Sequence, residues 1–433
     1  MSEYFEIAYA AAAKRLCLFT GTGFSKALTE NKVPGWQELL ENVCENHADN
    51  SALKDILFPA DTAKPLHLEE AAQVVELDLL GNNKNLHETI AKIISGFPAS
   101  GEIKHAKSFL SGRSFRIVTT NYDKIAEELI GTDCLSLSPG LPVPKSNSRA
   151  KVYHIHGSID APSQMVVTAN DYFKFMHSES YFSRKLSTIL HESTVVILGY
   201  SLGDANLKSI LNEYTRFMKT NTLGSNIFFV SRSRVDQPII DYYANCYGIR
   251  VIDDTTIETF FQKLEKHYPE AERVLQRSLR SIEKVLKDGR TFKDSFLKME
   301  DSFYEVVSAL SAKGYSLEDT KAVKMFDKIV TKKQELCLES GAWEQYEHLA
   351  SWLIILGSLL DIKGRSLEDT YLEAVKYSME HMSQEKRLGY SWQAFKIWSS
   401  RWGTIRASNR TMIKAFILEK SINRDARNIV SVC

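Results

Sequence analysis

Leu16-Cys17-Leu18-Phe19-Thr20-Gly21-Thr22-Gly23-Phe24-Ser25-Lys26-Ala27 is an apolar run that enters a glycine turn and continues as a helical pattern. A short, continuous apolar run bounded by glycine is what a strand covered on both faces looks like. Glycines at a strand-to-helix turn let the backbone approach a phosphate, and the following helix N-terminus offers free N–H groups. A complete dinucleotide fingerprint has a third glycine, and that position here is Lys26. Taken alone, the loop fits a tight turn without ligand nearly as well as a phosphate site.

Working outward, residues 115–118, 195–198, 227–230 and 249–252 are further apolar runs of strand length. Helical patterns lie between them, at 36–44, 123–129 and 181–190. That alternation predicts an α/β domain with a Rossmann-like, doubly wound parallel sheet and ligands at the carboxyl ends of its strands. Near Phe260 the texture changes. Residues 292–310, 317–337, 343–360 and 367–382 read as amphipathic or buried helices, so the chain divides into 1–265 and an all-helical 266–433. Five of the six tryptophans fall in the helical half, as core residues or as part of an interface. Ser-Leu-Glu-Asp-Thr occurs from Ser316 and again from Ser366, too short a match to establish duplication.

The balance of 54 basic and 54 acidic side chains gives no support for nucleic acid as the main ligand, since that binding needs excess cations. No secretory signal is read at the start of the chain. The most apolar stretch, 350–360, is about half of the ~20 residues that span a bilayer and reads as a buried helix. The six cysteines are scattered without metal-site spacing, which fits reduced thiols in a cytoplasmic protein with no bound metal.

Three more stretches join the glycine loop at the ends of successive strands. Thr119-Thr120-Asn121-Tyr122-Asp123 offers Asp123 as a helix cap, while the Asn121 amide points toward the expected crevice. His154-Ile155-His156-Gly157 places two histidines on one face if the segment is extended. His156 at a strand end suits a general base; His154 reads as a hydrogen-bonded structural histidine. Gly199-Tyr200-Ser201-Leu202-Gly203-Asp204-Ala205-Asn206 again sets small and polar groups where a ribose or phosphate could lie. Beside the first loop, Val33-Pro34-Gly35-Trp36 fits either a helix start with Trp36 in the core or an aromatic wall.

In this order the motifs resemble the sirtuin (silent information regulator) family over roughly the first 260 residues. The similarity is greatest to the sirtuin-like domains of bacterial antiphage defence proteins, above all the subunit that pairs with a HerA-type ATPase. Gly21-Thr22-Gly23-Phe24-Ser25 resembles the family's Gly-Ala-Gly-x-Ser loop, and Thr120-Asn121-Tyr122-Asp123 its Gln-Asn-Ile-Asp motif. His156-Gly157 is similar to the catalytic His-Gly pair and Gly199-Tyr200-Ser201-Leu202 to the ribose-contacting Gly-Thr-Ser-Leu turn. The departures are Thr120 for glutamine, Tyr200 for threonine, and no pair of C-x-x-C motifs for the structural zinc.

What the resemblance implies is a sirtuin-like fold without the zinc module and with NAD as substrate rather than as a resident cofactor. Without the module that helps form the acyl-lysine cleft, the implied reaction is cleavage of NAD to nicotinamide and ADP-ribose. It would deplete cellular NAD as abortive infection. Protein deacylation, ADP-ribosyl transfer, and a non-catalytic module that senses NAD or ADP-ribose are the rival readings. Asn121 would position the ribose or the attacking water, and His156 would be the base. Gly21, Thr22, Gly23 and Ser25 would hold the diphosphate, with Gly199 and Ser201 near a ribose. Phe24, Pro34 and Trp36 would wall the pocket, and Asp123 would orient the nicotinamide amide. The expected assemblies are a homo-oligomer or a complex with a HerA-type ATPase.

Overall fold

The computed structural model describes residues 3–60, 64–81, 83–101, 103–177, 188–189, 193–201, 227–288, 291–300, 302–312, 319–339 and 341–431. Seven parallel strands form one sheet: β1 Leu16–Thr20, β2 Phe115–Thr119, β3 Cys134–Leu137, β4 Ala150–His154, β5 Thr194–Leu198, β6 Ile227–Val230 and β7 Ile249–Ile252. Their spatial order is β3-β4-β2-β1-β5-β6-β7. The chain builds outward from β1 to one side and returns for β5 on the other. The crevice between the ends of β2, β1 and β5 is thus the topological switch point, where such sheets bind ligands.

The apolar runs are continuous because the sheet is buried on both faces. Leu16, Leu18, Val196, Leu198, Phe228 and Val230 belong to one apolar cluster, with the helices Glu3–Ala12, Lys104–Gly112 and Ile257–Asp288. Cys17, Phe19, Val195, Ile197, Ile227 and Phe229 belong to the other, with Tyr243 and Tyr247 of the helix Gln237–Tyr247. Alternate residues of each strand face opposite ways, so both sets must be apolar.

The five expected strands are present within a residue of their predicted ends. β4 was foreseen only by its end at His154 and β3 not at all; β3 is short and half-buried except for Leu137, so it carries little apolar signal. Residues 292–310 are not one helix but two, Asp294–Leu297 and Ser302–Ala312. The predicted helix at 181–190 lies almost wholly outside the described residues, as do Leu202 to Asn206 and the start of the first Ser-Leu-Glu-Asp-Thr copy.

Between β1 and β2 the chain inserts helices including Trp36–His47, Leu68–Leu80 and Leu86–Ile94. They close around a separate apolar cluster containing Leu40, Val43, Val75, Leu79 and Ile90, together with Tyr122, Met165 and Val167. This insert stands over the carboxyl edge of the sheet and forms one side of the crevice.

The helix Ile257–Asp288 runs through position 265 without a break, and one apolar cluster extends from β1 to Trp352 and Trp398 of the helical half. The two halves also meet at Arg410, whose guanidinium forks onto both carboxylate oxygens of Asp241. Trp352 and Trp398 are fully buried, whereas Trp343 is exposed. Residues 350–360 are the buried part of the helix Trp343–Leu359 and the residue after it. Among the described residues no helix is long and apolar enough to cross a membrane.

Candidate active site

Thr22, Pro34, Trp36, Thr120, Asn121, Tyr122, Asp123, His156, Gly199, Tyr200 and Ser201 all border one cavity of about 390 Å³ at the switch point. Leu39, His67, Leu68, Glu69 and Ile94 of the helical insert complete its far side, and Tyr172 flanks His156. A volume of this size falls in the range of small-molecule sites. Among the described residues no group of His, Cys, Asp or Glu is arranged to hold a metal ion.

Asn121 is the most constrained residue of the site. The β2 ladder ends at Thr119, so the Asn121 backbone has no strand partner, and a buried main-chain group must find one elsewhere. Its N–H donates to Thr119 Oγ1 at 3.0 Å, and His154 Nδ1 lies 2.9 Å from its carbonyl oxygen. Its side-chain Nδ2 donates to the Gly21 carbonyl (2.9 Å) and to Ser25 Oγ (2.8 Å). With both amide protons used, Oδ1 is the polar atom left to face the cavity.

Ser25, expected at the diphosphate, is buried and hydrogen-bonded within the protein. It is 1% exposed, and its hydroxyl accepts from Asn121 and donates to Asp123 Oδ2 at 2.7 Å. Asp123 Oδ1 accepts the N–H of Ile125, the first residue of the helix Ile125–Ile130, at 3.1 Å, while the cap position itself is Lys124. Burial raises the Asp123 carboxyl, against the hydrogen bonds from Ser25 and Ile125. Both carboxylate oxygens are therefore engaged inside the protein. Phe24, expected on the pocket wall, is 1% exposed and packs in the apolar core beneath the sheet.

The glycine loop is held against β5 by its own amides. Gly21 N–H donates to Leu198 O (3.0 Å) and Gly23 N–H to Gly199 O (2.9 Å). Gly199 has φ +75°, and a Cβ there would lie 2.0 Å from the Phe24 nitrogen. A Cβ on Gly21 would meet the Tyr200 ring at 2.7 Å. These glycines serve the close approach of two chain segments, and the Tyr200 ring packs directly against Gly21. The Tyr200 hydroxyl is 2.6 Å from Thr120 Oγ1. Two of the positions that depart from the sirtuin pattern, 120 and 200, thus pair with each other. Lys26 forms a salt bridge to Glu38 (2.6 Å), which also accepts the N–H of Gly35. Gly35 starts the helix Trp36–His47, so the Pro34–Trp36 segment is both a helix start and a pocket border.

His154 and His156 do not share a site. His154 is the last residue of β4, while His156 lies in the turn beyond it and borders the cavity. Tyr172 and Phe175, on the helix Ala169–His177, meet the His156 ring edge-on with centroids 5.4 and 5.0 Å away. Neither aromatic was anticipated. Their helix was marked in sequence by Thr168-Ala169-Asn170-Asp171, where Thr168 and Asp171 cap one another. His87 Nε2 binds Asp171 at 2.9 Å and ties this helix to the insert.

Burial without a charged neighbour pushes His156 down to about 4, so the imidazole is neutral at physiological pH. An unfolded chain binds that proton near the ordinary value of about 6.5, so stability is full above that pH and is lost as pH falls toward 4. For a shift of this size the loss attributable to His156 is about 2 kcal/mol at pH 5. Urea unfolding at pH 7.5 and pH 5 should show a smaller pH effect in His156→Gln by about that amount. An unchanged difference between the two pH values would refute the assignment.

Residues 116–252 match a family model described as SIR2-like domain. Over 185 residues, 41% of this chain, the sequence is 26% identical to "NAD(+) hydrolase ThsA" of Cytobacillus dafuensis, 37% of whose length is covered. Over 151 residues, 33% of this chain, it is 26% identical to "Defense-associated sirtuin 2" of Bacillus subtilis, with 14% of that protein covered. A third relative, "NAD(+) hydrolase ThsA" of Enterococcus faecium, is 33% identical over 110 residues, 24% of this chain and 23% of the relative. The matches thus span well under half of these relatives. The stretch that matches the SIR2-like domain model contains Asn121, His156 and Gly199, and the chain is similar at low identity to proteins named as NAD(+) hydrolases and to a defence-associated sirtuin.

Proposed function

We propose that this chain is an NAD glycohydrolase that cleaves NAD to nicotinamide and ADP-ribose, and that it acts in antiphage defence by depleting NAD in the cytoplasm. The observation that carries the reading is the convergence of the Asn121 amide oxygen and the neutral His156 ring on one cavity at the switch point. The relatives named as NAD(+) hydrolases support the same substrate.

In the reaction the bond between the ribose anomeric carbon and the pyridinium nitrogen breaks, and its electron pair leaves with neutral nicotinamide. No strong acid is needed. Water adds to the oxocarbenium-like centre and gives up one proton. Asn121 Oδ1 accepts a hydrogen bond from that water or a ribose hydroxyl and fixes its position. The neutral His156 ring accepts the proton or the hydroxyl hydrogen bond. A base held near 4 is weak, which suits a step in which bond breaking leads and deprotonation follows.

Trp36 and Pro34 would border the bound nucleotide, and Tyr200 would have to leave Gly21 before a diphosphate reached the loop. Chromatography of NAD incubated with the protein, once activated, should yield nicotinamide and free ADP-ribose in equal amounts. ADP-ribose recovered on protein would assign a transferase instead. An enzyme that empties its own cell of NAD has to be silent until triggered. We assign that control to the helical half, through self-assembly or a HerA-type ATPase partner. Sedimentation with and without a co-encoded ATPase separates these two arrangements.

A further inference from the structure

Glu127 and His154 form a buried pair that no part of the proposed chemistry uses. His154 is 1% exposed; its Nε2 lies 2.7 Å from Glu127 Oε1 and its Nδ1 2.9 Å from the Asn121 carbonyl oxygen. Burial opposes ionisation of Glu127, but the His154 hydrogen bond and charge, Lys124 and Ser136 outweigh it and hold the carboxyl at about 2. Glu127 is therefore an ionised acceptor, and a backbone carbonyl can only accept. The His154 ring thus bridges the Glu127 carboxylate and the Asn121 carbonyl.

The placement of Asn121 depends on this. Its peptide lies two residues past the end of the β2 ladder, where no neighbouring strand fixes it. Thr119 Oγ1 holds the N–H side and His154 the C=O side. The two peptide planes that flank the Asn121 Cα, one held at its N–H and the other at its C=O, together set the direction of the side chain, and hence where Oδ1 stands in the cavity. Lys124 binds Glu127 (3.1 Å) and Asp160 (2.5 Å), and Ser136 donates to Glu127 at 2.7 Å, so the carboxylate that holds the ring is itself fixed.

We infer that His154, oriented by Glu127, is a positioning residue for the reaction: it fixes the Asn121 carbonyl and thereby aims the Asn121 side chain at the reacting ribose. The inference rests on the reading of Asn121 as a catalytic residue.

Two isosteric variants separate this role from a purely structural one. The amide nitrogen of His154→Asn reaches the Nδ1 position and can serve the Asn121 carbonyl while leaving Glu127. That of His154→Gln reaches the Nε2 position and serves Glu127 while leaving Asn121. The full-length proteins are assayed for nicotinamide release, with thermal melting alongside. The expected result is a kcat for His154→Gln lowered on the order of 10- to 100-fold with KM nearly unchanged, and a His154→Asn kcat within about threefold of wild type. Melting should place the Gln variant at least as high as the Asn variant, so that stability cannot produce the order. Equal kcat in the two variants, at any level, or a faster Gln variant overturns the inference. Asn121→Ala measured beside them tests the underlying reading: if it is fully active, that reading fails, whereas an inactive Asn121→Ala with equal His154 variants sinks this inference alone.

Discussion

Asn121→Ala is expected to lower kcat for NAD cleavage by about 10²- to 10³-fold, the largest effect of any single side chain in the site. The substitution removes the one polar atom of residue 121 that faces the cavity. It also removes the two donors that reach the Gly21 carbonyl and Ser25 Oγ. Leaving a buried carbonyl without its donor costs about 1–3 kcal/mol, so some loss of stability accompanies the loss of rate. The two effects are separable because rate is measured well below the melting temperature. Retention of more than about a tenth of wild-type kcat, against a loss this large, would remove Asn121 from the reacting centre.

Gly199→Ala is expected to produce the largest loss of stability. With φ at +75° and the Phe24 nitrogen 2.0 Å from the position of a Cβ, the substitution meets two penalties. Holding a non-glycine residue in the left-handed region costs about 1–3 kcal/mol, and forcing atoms into a packed junction costs a similar amount. At about 2–4 °C per kcal/mol for a domain of this size, the melting temperature should fall by roughly 5–20 °C. Gly112→Ala is the control, because its added Cβ meets nothing within 4 Å and its φ is not positive. A Gly199→Ala protein that melts with the control would show that the junction between the glycine loop and β5 is looser than described.

Much of the sheet was legible because burial on both faces writes itself into five nearly continuous apolar runs, two of them interrupted by a single arginine, Arg116 and Arg250. β3 was not, since it is a short edge strand whose first three residues are only partly buried, with little to distinguish it from a loop, and β4 showed only its end at His154. The helical insert over the crevice was equally hidden. Its apolar positions have ordinary helical spacing, and nothing in that spacing says which surface they cover.

Within the site, the ends of the strands could be located from sequence, and with them Asn121, His156 and Gly199. What their neighbours do could not. Ser25 and Asp123 look like ligand-facing groups in the linear motif, yet they hydrogen-bond to each other beneath Asn121. Phe24 follows a glycine at the loop and still turns into the core. Thr120 and Tyr200, eighty positions apart, meet only because β2 and β5 flank β1.

The sequence by itself determined a parallel sheet, an all-helical second half and the four chain segments that meet at the crevice. Those follow from periodicity and from turn chemistry, both local properties. Tertiary structure alone decided which polar atoms face the cavity and which are spent inside the protein. A hydrogen bond commits one donor to one acceptor, and the partner is set by the packing of distant strands rather than by neighbours along the chain.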